Sequence, residues 1–443
     1  MSVTTSYPGV YVDEQASMSM SVNNAPTAVP VFIGLFNPID GSTAPPSQCV
    51  RIANWLYFSS RFSLDADLTV NITSSVVSAD DVEDPENQDS SYSYSDSINC
   101  VANQGFYVRQ YFENGGGPCY LLSYDDNDAE INAFPAAISQ ETDITLIVAI
   151  GGGDKEYSSL STLLVDGNGY FLIGTSGNGL SGPPTQKDLT AAYYPNVHTP
   201  YFQHRPQDSA IVVNGYVDAA ASAVKNLADL KSINSTLYDK VSADIDDKLA
   251  EPLTLNPTGA IAGVYCSVDS RRGVWAAPAN VALAGVTGVT EAVSDDAQGS
   301  MNDAGINVLR NFAGRGVVVW GARTMAGATS NSDTSWRYIS VRRFFNSAER
   351  DIKKAMQPMV FEPNSEPTWE KVRSAIENYL HSLWRQGALL GATAKEAYFV
   401  KIGNGITMTD DDIAQGKMIV DVGMAAVRPA EFIILQFTQN LSS

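Results

Sequence analysis

The chain has few of the residues that usually carry catalysis or metal binding. Its 443 residues include only three histidines and four cysteines, and no CxxC pair occurs. The cysteine spacing fits neither a zinc site nor a dense disulfide framework, so buried free thiols are expected. His381 has no acidic or thiol cluster at ligand spacing. The sequence therefore predicts no metal site, no catalytic triad, no cofactor and no enzyme activity.

Basic residues and long apolar runs are also scarce. The 28 lysines and arginines against 49 acidic residues give a net charge of -21. Such a surface repels nucleic acids and anionic membranes, so we expect no nucleic-acid partner and no direct membrane insertion. No apolar run approaches the roughly 20 residues that span a bilayer. The opening MSVTTSYPGV lacks the basic and apolar regions of a signal peptide, so export by that route is not expected.

Apolar runs and helical patterns alternate across residues 98–270, which indicates an α/β layer with a mostly parallel sheet. Ala28–Phe36 is the first predicted core strand, and Gly169–Gly174 predicts another buried strand. The apolar spacing from Ile98 to Phe112 fits a helix. These patterns place the chain in the α/β (α+β) class.

Two alternative classes of function remain open on these observations. Gly151–Gly153 follow a predicted strand, as in a phosphate loop, but lack both the GK[ST] ending and the GxGxxG spacing. An α/β enzyme for a phosphorylated ligand would also need an acid, base or nucleophile set that the chain does not offer. The acidity and the Ser/Tyr-rich segment suggest a surface-layer or adhesin protein, which should carry a signal peptide and repeats.

Two segments have the character of surface insertions. Residues 64–97 contain the strand-like TVNITSSVV (69–77), followed by an acidic, serine-rich stretch that predicts a mobile loop without EF-hand spacing. Residues 208–255 predict a pair of helices on the outside of the α/β unit.

The last third predicts two amphipathic helices, Ser335–Met356 and Thr368–Gly387 with Thr368 as N-cap. A strand follows at 396–403. Thr409 and Asp412 form a capping box that begins a short helix ending at Gly416. Two further strands are expected within 417–439.

Both ends of the chain predict strands without a partner in their own subunit, and an unpaired strand can pair with another chain. The residues that we expect to exchange between subunits are Tyr7, Val10, Tyr11 and Val12 in an N-terminal arm and Glu431, Ile433, Leu435 and Phe437 in a C-terminal arm.

Eight stretches of the chain carry a family resemblance. They are PGVYVDE (8–14), YFENGGGPCYLL (111–122), PTGAIAGVYCSVDSRRGVWAAPANVALAGVTG (257–288), GRGVVVWGARTM (314–325), WRYISVRRFF (336–345), VFEPNSEPTWEKVR (360–373), LWRQGALLGATAKEAYFVK (383–401) and IAQGKMIVDVGMAAVRPAEFIILQF (413–437). Together, and in this order, they resemble the sheath proteins of contractile phage tails and related contractile injection systems. The segments 64–97 and 208–255 depart from the family pattern, as does the stretch near 401–409.

The resemblance implies a mixed-sheet sheath core with terminal strand-exchange arms and outward-facing insertions. The implied division is an N-terminal arm (1–27), an α/β region (28–256), a family-type core (257–428) and a C-terminal arm (429–443). Subunits of this family stack as hexameric rings around an inner tube. Contraction from a metastable extended state drives the tube through a target envelope.

The implied partners are other copies of the chain, the inner tube protein, baseplate and terminator or cap proteins, and in some systems sheath paralogues. The implied location is the bacterial cytoplasm during assembly, then a virion tail or a released phage-like particle. Asp410, Asp411 and Asp412 could touch a basic patch on the tube, or simply cap a solvated turn.

Overall fold

The structure, a computed structural model, describes residues 20–39, 48–76, 92–124, 127–177, 179–218, 220, 222–331 and 333–432. The chain divides into two compact units. The larger unit contains the described parts of Pro26–Asn346 and Arg428–Ser443, and the smaller unit those of Met1–Ala25 and Ser347–Val427. The boundary suggested by sequence resemblance, between residues 256 and 257, lies within the larger unit.

The strands and helices follow one another from end to end of the described chain. The strands are β1 (Pro30–Gly34), β2 (Cys49–Ile52), β3 (Asp67–Val76), β4 (Tyr92–Val101), β5 (Cys119–Ser123), β6 (Leu146–Ala149), β7 (Phe171–Thr175), β8 (Thr190–Tyr194), β9 (Val197–His198), β10 (Val212–Asn214), β11 (Thr254–Leu255), β12 (Gly288–Val289), β13 (Ile306–Phe312), β14 (Gly316–Trp320), β15 (Tyr398–Lys401) and β16 (Asp421–Met424). The helices are α1 (Trp55–Ser59), α2 (Gly105–Glu113), α3 (Asp128–Ser139), α4 (Asp154–Ser161), α5 (Leu227–Ile233), α6 (Ser235–Leu249), α7 (Thr258–Arg272), α8 (Asp295–Asp303), α9 (Ile339–Met356), α10 (Glu366–Arg385), α11 (Ala394–Ala397) and α12 (Asp410–Ala414).

The larger unit is built on one sheet with the strand order β14-β13-β8-β7-β6-β1-β5-β2. All neighbours from β13 to β5 pair in parallel, and only the outermost strands, β14 and β2, pair antiparallel. Parallel strands need crossover connections, which helices usually provide. The mostly parallel sheet predicted from strand–helix alternation is confirmed.

Helices cover both faces of this sheet. Alternate strand residues point to opposite faces, so Phe32 joins one apolar cluster and the neighbouring Val31 and Ile33 join the other. The first cluster includes residues of α2 and α7, and the second includes residues of α3 and α4. Strands covered on both faces are expected to be apolar along their length, as these are.

Helix α7 packs unusually close to α2 because it carries glycines at the contact. A Cβ atom on Gly259 would lie 2.4 Å from the Tyr107 carbonyl oxygen, and one on Gly263 would lie 2.5 Å from the Tyr111 carbonyl oxygen. Side chains at these positions would push the helices apart. The close approach fixes the position of the last two turns of α7, which carry Asp269.

The two segments that looked like separate insertions form one small α/β layer. Strands β10, β3 and β4 make a sheet, and α5 and α6 share a separate apolar cluster with it. The strand character of TVNITSSVV is confirmed by β3, and the helical pair is confirmed by α5 and α6. The predicted mobile loop extends too far, because residues 92–97 pair with β3 as part of β4. Its acidic residues 77–91 lie outside the described residues.

Three predicted helix boundaries were wrong. Ile98 and Val101 belong to β4, where each faces a β3 residue, and the helix begins only at Gly105. Helix α9 begins at Ile339 because Tyr338 still forms a bridge with Arg323. Helix α10 is capped by Ser365 instead of Thr368, since proline fits the first turn of a helix.

In the smaller unit, α10 buries one side, which includes Val372, Ile376 and Leu380. The predicted strand at 396–403 is confirmed as β15, which pairs antiparallel with β16. None of the helices in the described part of the chain combines the length and apolar character that a membrane crossing requires.

Gln110 on α2 is buried in the core of the larger unit without a hydrogen-bond partner for its amide in the described part of the chain. It is 0% exposed, and neither its Oε1 nor its Nε2 has a hydrogen-bond partner among the described residues. Burying an amide without hydrogen bonds costs about 1–3 kcal/mol. Helix α2 therefore carries a destabilising side chain on its buried face.

Gln110→Met should raise the free energy of unfolding by about 1–2 kcal/mol, because it removes the amide and keeps the side-chain length. Chemical denaturation measures the change. Val108→Ala on the same helix is the opposing control and should lower stability by about 1–3 kcal/mol. A Gln110→Met protein less stable than the wild type would contradict this interpretation.

Candidate functional site

A buried ion pair holds the chain where the N-terminal segment enters the larger unit. The side chain of Arg343 on α9 is 3% exposed, and its Nη2 lies 2.7 Å from Oδ2 of Asp269 on α7. The Thr27 hydroxyl donates to the same carboxylate at 2.5 Å, and the Thr27 carbonyl accepts from Arg343 at 3.1 Å. We call these three residues the N-terminal root.

Aromatic residues complete the surroundings of Arg343. Its guanidinium lies 4.6 Å from the ring centroid of Tyr265, whose hydroxyl is 2.8 Å from that of Tyr193. Burial alone lowers the pKa of Arg343, but the charge and hydrogen bonds of Asp269 outweigh it and the net pKa is raised. The arginine therefore stays charged, and it depends on Asp269 for compensation.

A second arginine holds the chain where the C-terminal segment leaves. Arg323 donates from Nε to Glu431 Oε1 at 2.9 Å and from Nη2 to Oε2 at 2.7 Å, a bidentate arrangement. Its side chain is 5% exposed, and its Nη1 donates to the Asn302 carbonyl. The Asn307 side chain accepts a hydrogen bond from the backbone amide of Arg323 and donates one to its carbonyl, which fixes the backbone of Arg323. We call Arg323 and Glu431 the C-terminal root.

One of the eight predicted arm residues, Glu431, lies among the described residues. Glu431, predicted for strand exchange, is bound to Arg323 of its own chain. The next residue, Phe432, is 71% exposed. The other predicted arm residues, Tyr7, Val10, Tyr11, Val12, Ile433, Leu435 and Phe437, lie outside the described residues. Sequence reasoning missed Arg323, Arg343 and Asp269, although all three fall within the stretches that carried the resemblance.

The smaller unit holds a short sheet with open edges. Strands β15 and β16 pair from Tyr398 opposite Met424 to Lys401 opposite Asp421, and no third strand joins them within the described residues. Phe399 in β15 is 44% exposed. A two-stranded sheet is marginally stable alone, and its free edges can accept another strand.

The acidic turn of the smaller unit forms as predicted. Thr409 and Asp412 make the capping box that begins α12, and hydrogen bonds from the amide and hydroxyl of Thr409 lower the pKa of Asp412. Asp410 accepts a hydrogen bond from Asn404 at 2.7 Å. Asp411 is exposed. Two of the three carboxylates thus have structural roles, which leaves Asp411 as the one most open to a partner.

Two sequence profiles and a full-length structural likeness decide the family. The profile of the phage tail sheath protein central domain matches residues 207–325, and that of the phage tail sheath C-terminal domain matches residues 331–440. The helical sheath of the anti-feeding prophage, solved in its contracted state, is 40% identical with a TM-score of 0.71. That alignment covers 99% of this chain and 100% of the other. The chain belongs to the contractile tail sheath family.

Other sheath proteins extend the comparison. The sheath of the PVC extracellular contractile injection system, also contracted, is 35% identical over 99% of each chain, with a TM-score of 0.68. The tail sheath protein of Vibrio phage KVP40 is 32% identical over 135 residues, which are 30% of this chain and only 19% of that protein. The injection-system sheaths thus match the whole subunit, whereas the alignment spans about a fifth of the phage protein.

The geometry of this sheath subunit argues against the phosphate-ligand alternative. Gly151–Gly153 do lie between β6 and α4. However, Oε2 of the buried Glu156 accepts the Gly153 amide at 2.8 Å, and Asp154 adds a second carboxylate to the first turn. An anion there would meet two negative charges where a phosphate loop offers free amides. No cluster of histidine, cysteine and carboxylate side chains suited to a metal occurs among the described residues.

Asp269→Asn should lower the free energy of unfolding by about 3 kcal/mol, because it leaves the buried Arg343 charge without compensation. The matched control is Asp128→Asn. Asp128 pairs with Lys155 at 2.7 Å, but both side chains are more than 70% exposed. Loss of such a pair costs at most about 1 kcal/mol. Chemical denaturation measures both changes. Equal losses of unfolding free energy in the two variants would contradict the role assigned to the N-terminal root.

Proposed function

We propose that this chain is the sheath subunit of an extracellular contractile injection system. The subunits stack as hexameric rings around an inner tube. Contraction from a metastable extended state drives the tube through a target envelope. The observation that carries the proposal is the full-length likeness, at 35–40% identity, to two injection-system sheaths solved in contracted assemblies.

Strand exchange is the proposed link between subunits. The N-terminal arm, with Tyr7, Val10, Tyr11 and Val12, and the C-terminal arm, with Ile433, Leu435 and Phe437 after Glu431, add strands to the open edges of β15 and β16 in neighbouring copies. Main-chain hydrogen bonds give such β-augmentation its affinity. An added strand would also cover the exposed ring of Phe399.

The two roots give this mesh its mechanical continuity. A subunit that rotates during contraction pulls on its arms, and each arm transmits force to the point where it joins the folded unit. Both points are fixed by buried or nearly buried arginine–carboxylate pairs. Separating the partners of a buried pair leaves an uncompensated buried charge, which is strongly destabilising. We therefore expect both pairs to stay closed when the arms are pulled.

The acidic turn is the proposed contact with the inner tube. Asp411 is exposed at the first turn of α12, and Asp410 and Asp412 lie beside it. A basic patch on the tube protein would complement these carboxylates. Baseplate and terminator or cap proteins complete the set of proposed partners, and assembly takes place in the bacterial cytoplasm.

Deletion of residues 1–20 should abolish polymerisation and leave the subunit folded, because the N-terminal root at Thr27 is retained. The wild-type chain expressed with its cognate tube protein should form long striated particles in negative-stain electron microscopy. The truncated chain should remain soluble, with a Tm within a few degrees of the wild type as the control. Particles of normal length from the truncated chain would contradict strand exchange.

Asp411→Lys should weaken co-assembly of sheath and tube, because it replaces a carboxylate by a positive charge that the proposed basic patch would repel. Co-purification with the tube protein, at low and at high salt, measures the effect. The control is Asp247→Lys, on the small α/β layer formed by β3, β4, β10, α5 and α6. Unchanged co-assembly of the Asp411→Lys chain would exclude this contact.

A further inference from the structure

Phe361 occupies a backbone position that normally requires glycine. Val360 has φ -65° and ψ 130°, Phe361 has φ +73°, and the Glu362 amide donates to the Met359 carbonyl at 3.1 Å. These are the features of a type II β-turn, in which the second central residue is usually glycine. A bulky residue with positive φ is strained, and such strain concentrates at functional positions.

Burial within its own subunit does not offset this strain. Phe361 is 102% exposed and the adjoining Val360 is 61% exposed, while Met359 before them is buried. Pro358 and Pro363 flank the turn and fix the backbone on either side. The turn therefore holds an aromatic ring in solvent on a constrained backbone, at a cost to the isolated chain.

Further apolar side chains lie on a segment that is tied to this turn. Asn364 donates to the Lys417 carbonyl at 2.8 Å and accepts from the Trp369 indole at 2.7 Å. This connects the turn to the segment 402–419, which contains α12. On either side of α12, Ile406 is 63% exposed and Ile419 is 40% exposed, and the Thr407 hydroxyl donates to the Ile419 carbonyl.

We propose that the Phe361 turn, residues 359–362, is a docking element that inserts its ring into an apolar site on a second copy of this chain. The ring is the most exposed of the apolar side chains described at this site, and burying it brings no charge into the contact. The constrained backbone of the turn lowers the entropy lost on binding.

The second copy is the partner that the remaining observations favour. Copies with a net charge of -21 repel one another, so their association must draw on uncharged contacts. The turn also lies inside residues 331–440, the part matched by the sheath C-terminal domain profile, and the chain matches a helical sheath along its full length. The inference rests on the proposed function only in that copies of the chain assemble.

Three substitutions at position 361 separate strain from contact. Phe361→Gly removes both ring and strain, Phe361→Ala removes the ring alone, and Phe361→Tyr keeps the ring. For the soluble subunit, thermal denaturation should give Phe361→Gly a Tm equal to or above the wild type. In sheath assembly, both Gly and Ala variants should reduce the polymerised fraction about tenfold or more, and the Tyr variant should not.

Photo-crosslinking then identifies the partner. Phe361→p-benzoylphenylalanine, incorporated into assembled particles with the tube protein, should give adducts between two copies of this chain on irradiation. The same variant before assembly is the control and should give none. Adducts with the tube protein instead, or full assembly of Phe361→Gly, would overturn the proposal.

A lower Tm for soluble Phe361→Gly would also overturn it, because the ring would then stabilise its own subunit. This readout does not depend on assembly. If the wild-type chain fails to polymerise, the function proposed for the chain fails. If the wild-type chain and Phe361→Gly both assemble fully, the docking proposal alone fails.

Discussion

The pairing of buried arginines with carboxylates is the constraint on which the rest of this sheath subunit depends. Arg343 can be buried only because α7 brings Asp269 to within 2.7 Å of it, and α7 can do so only because its glycines allow it to lie against α2. The strands of the central sheet support both helices. The packing of α7 against α2 thus determines the point at which the N-terminal segment enters the larger unit.

The same logic applies at the other end of the chain. Arg323 is fixed by Asn307, which belongs to β13, and holds Glu431 in a bidentate pair. The two roots are therefore parts of the rigid α/β unit, whereas the residues proposed to exchange lie beyond them. A subunit with fixed roots and separate arms can change its contacts with neighbours while it stays connected to them.

Local patterns predicted much of the fold, and long-range pairs account for what they missed. Strand–helix alternation indicated the parallel sheet, and the Thr409–Asp412 spacing gave the correct cap for α12. They did not predict the burial of Arg342, which is 1% exposed and pairs with Asp166. Arg343 and Asp269 are 74 residues apart and Arg323 and Glu431 are 108 apart, so spacing cannot reveal either pair.

Several features of the subunit make sense only beyond the isolated chain. Phe361 holds a strained backbone with its ring in solvent, and β15 and β16 form a two-stranded sheet that no further strand joins within the described residues. Departures from local optimality of this kind are expected at sites shaped by function. They lie in the smaller unit, while the arginine pairs lie in the larger, so the subunit combines a stable body with surfaces built for partners.

A cryo-electron microscopy reconstruction of the assembled sheath tests the central claim most directly. The account predicts that strands from other copies lie along the edges of β15 and β16, while the Arg323–Glu431 and Arg343–Asp269 pairs remain closed within each chain. A map in which those edges carry only segments of their own chain, or in which the pairs are broken on assembly, would contradict it.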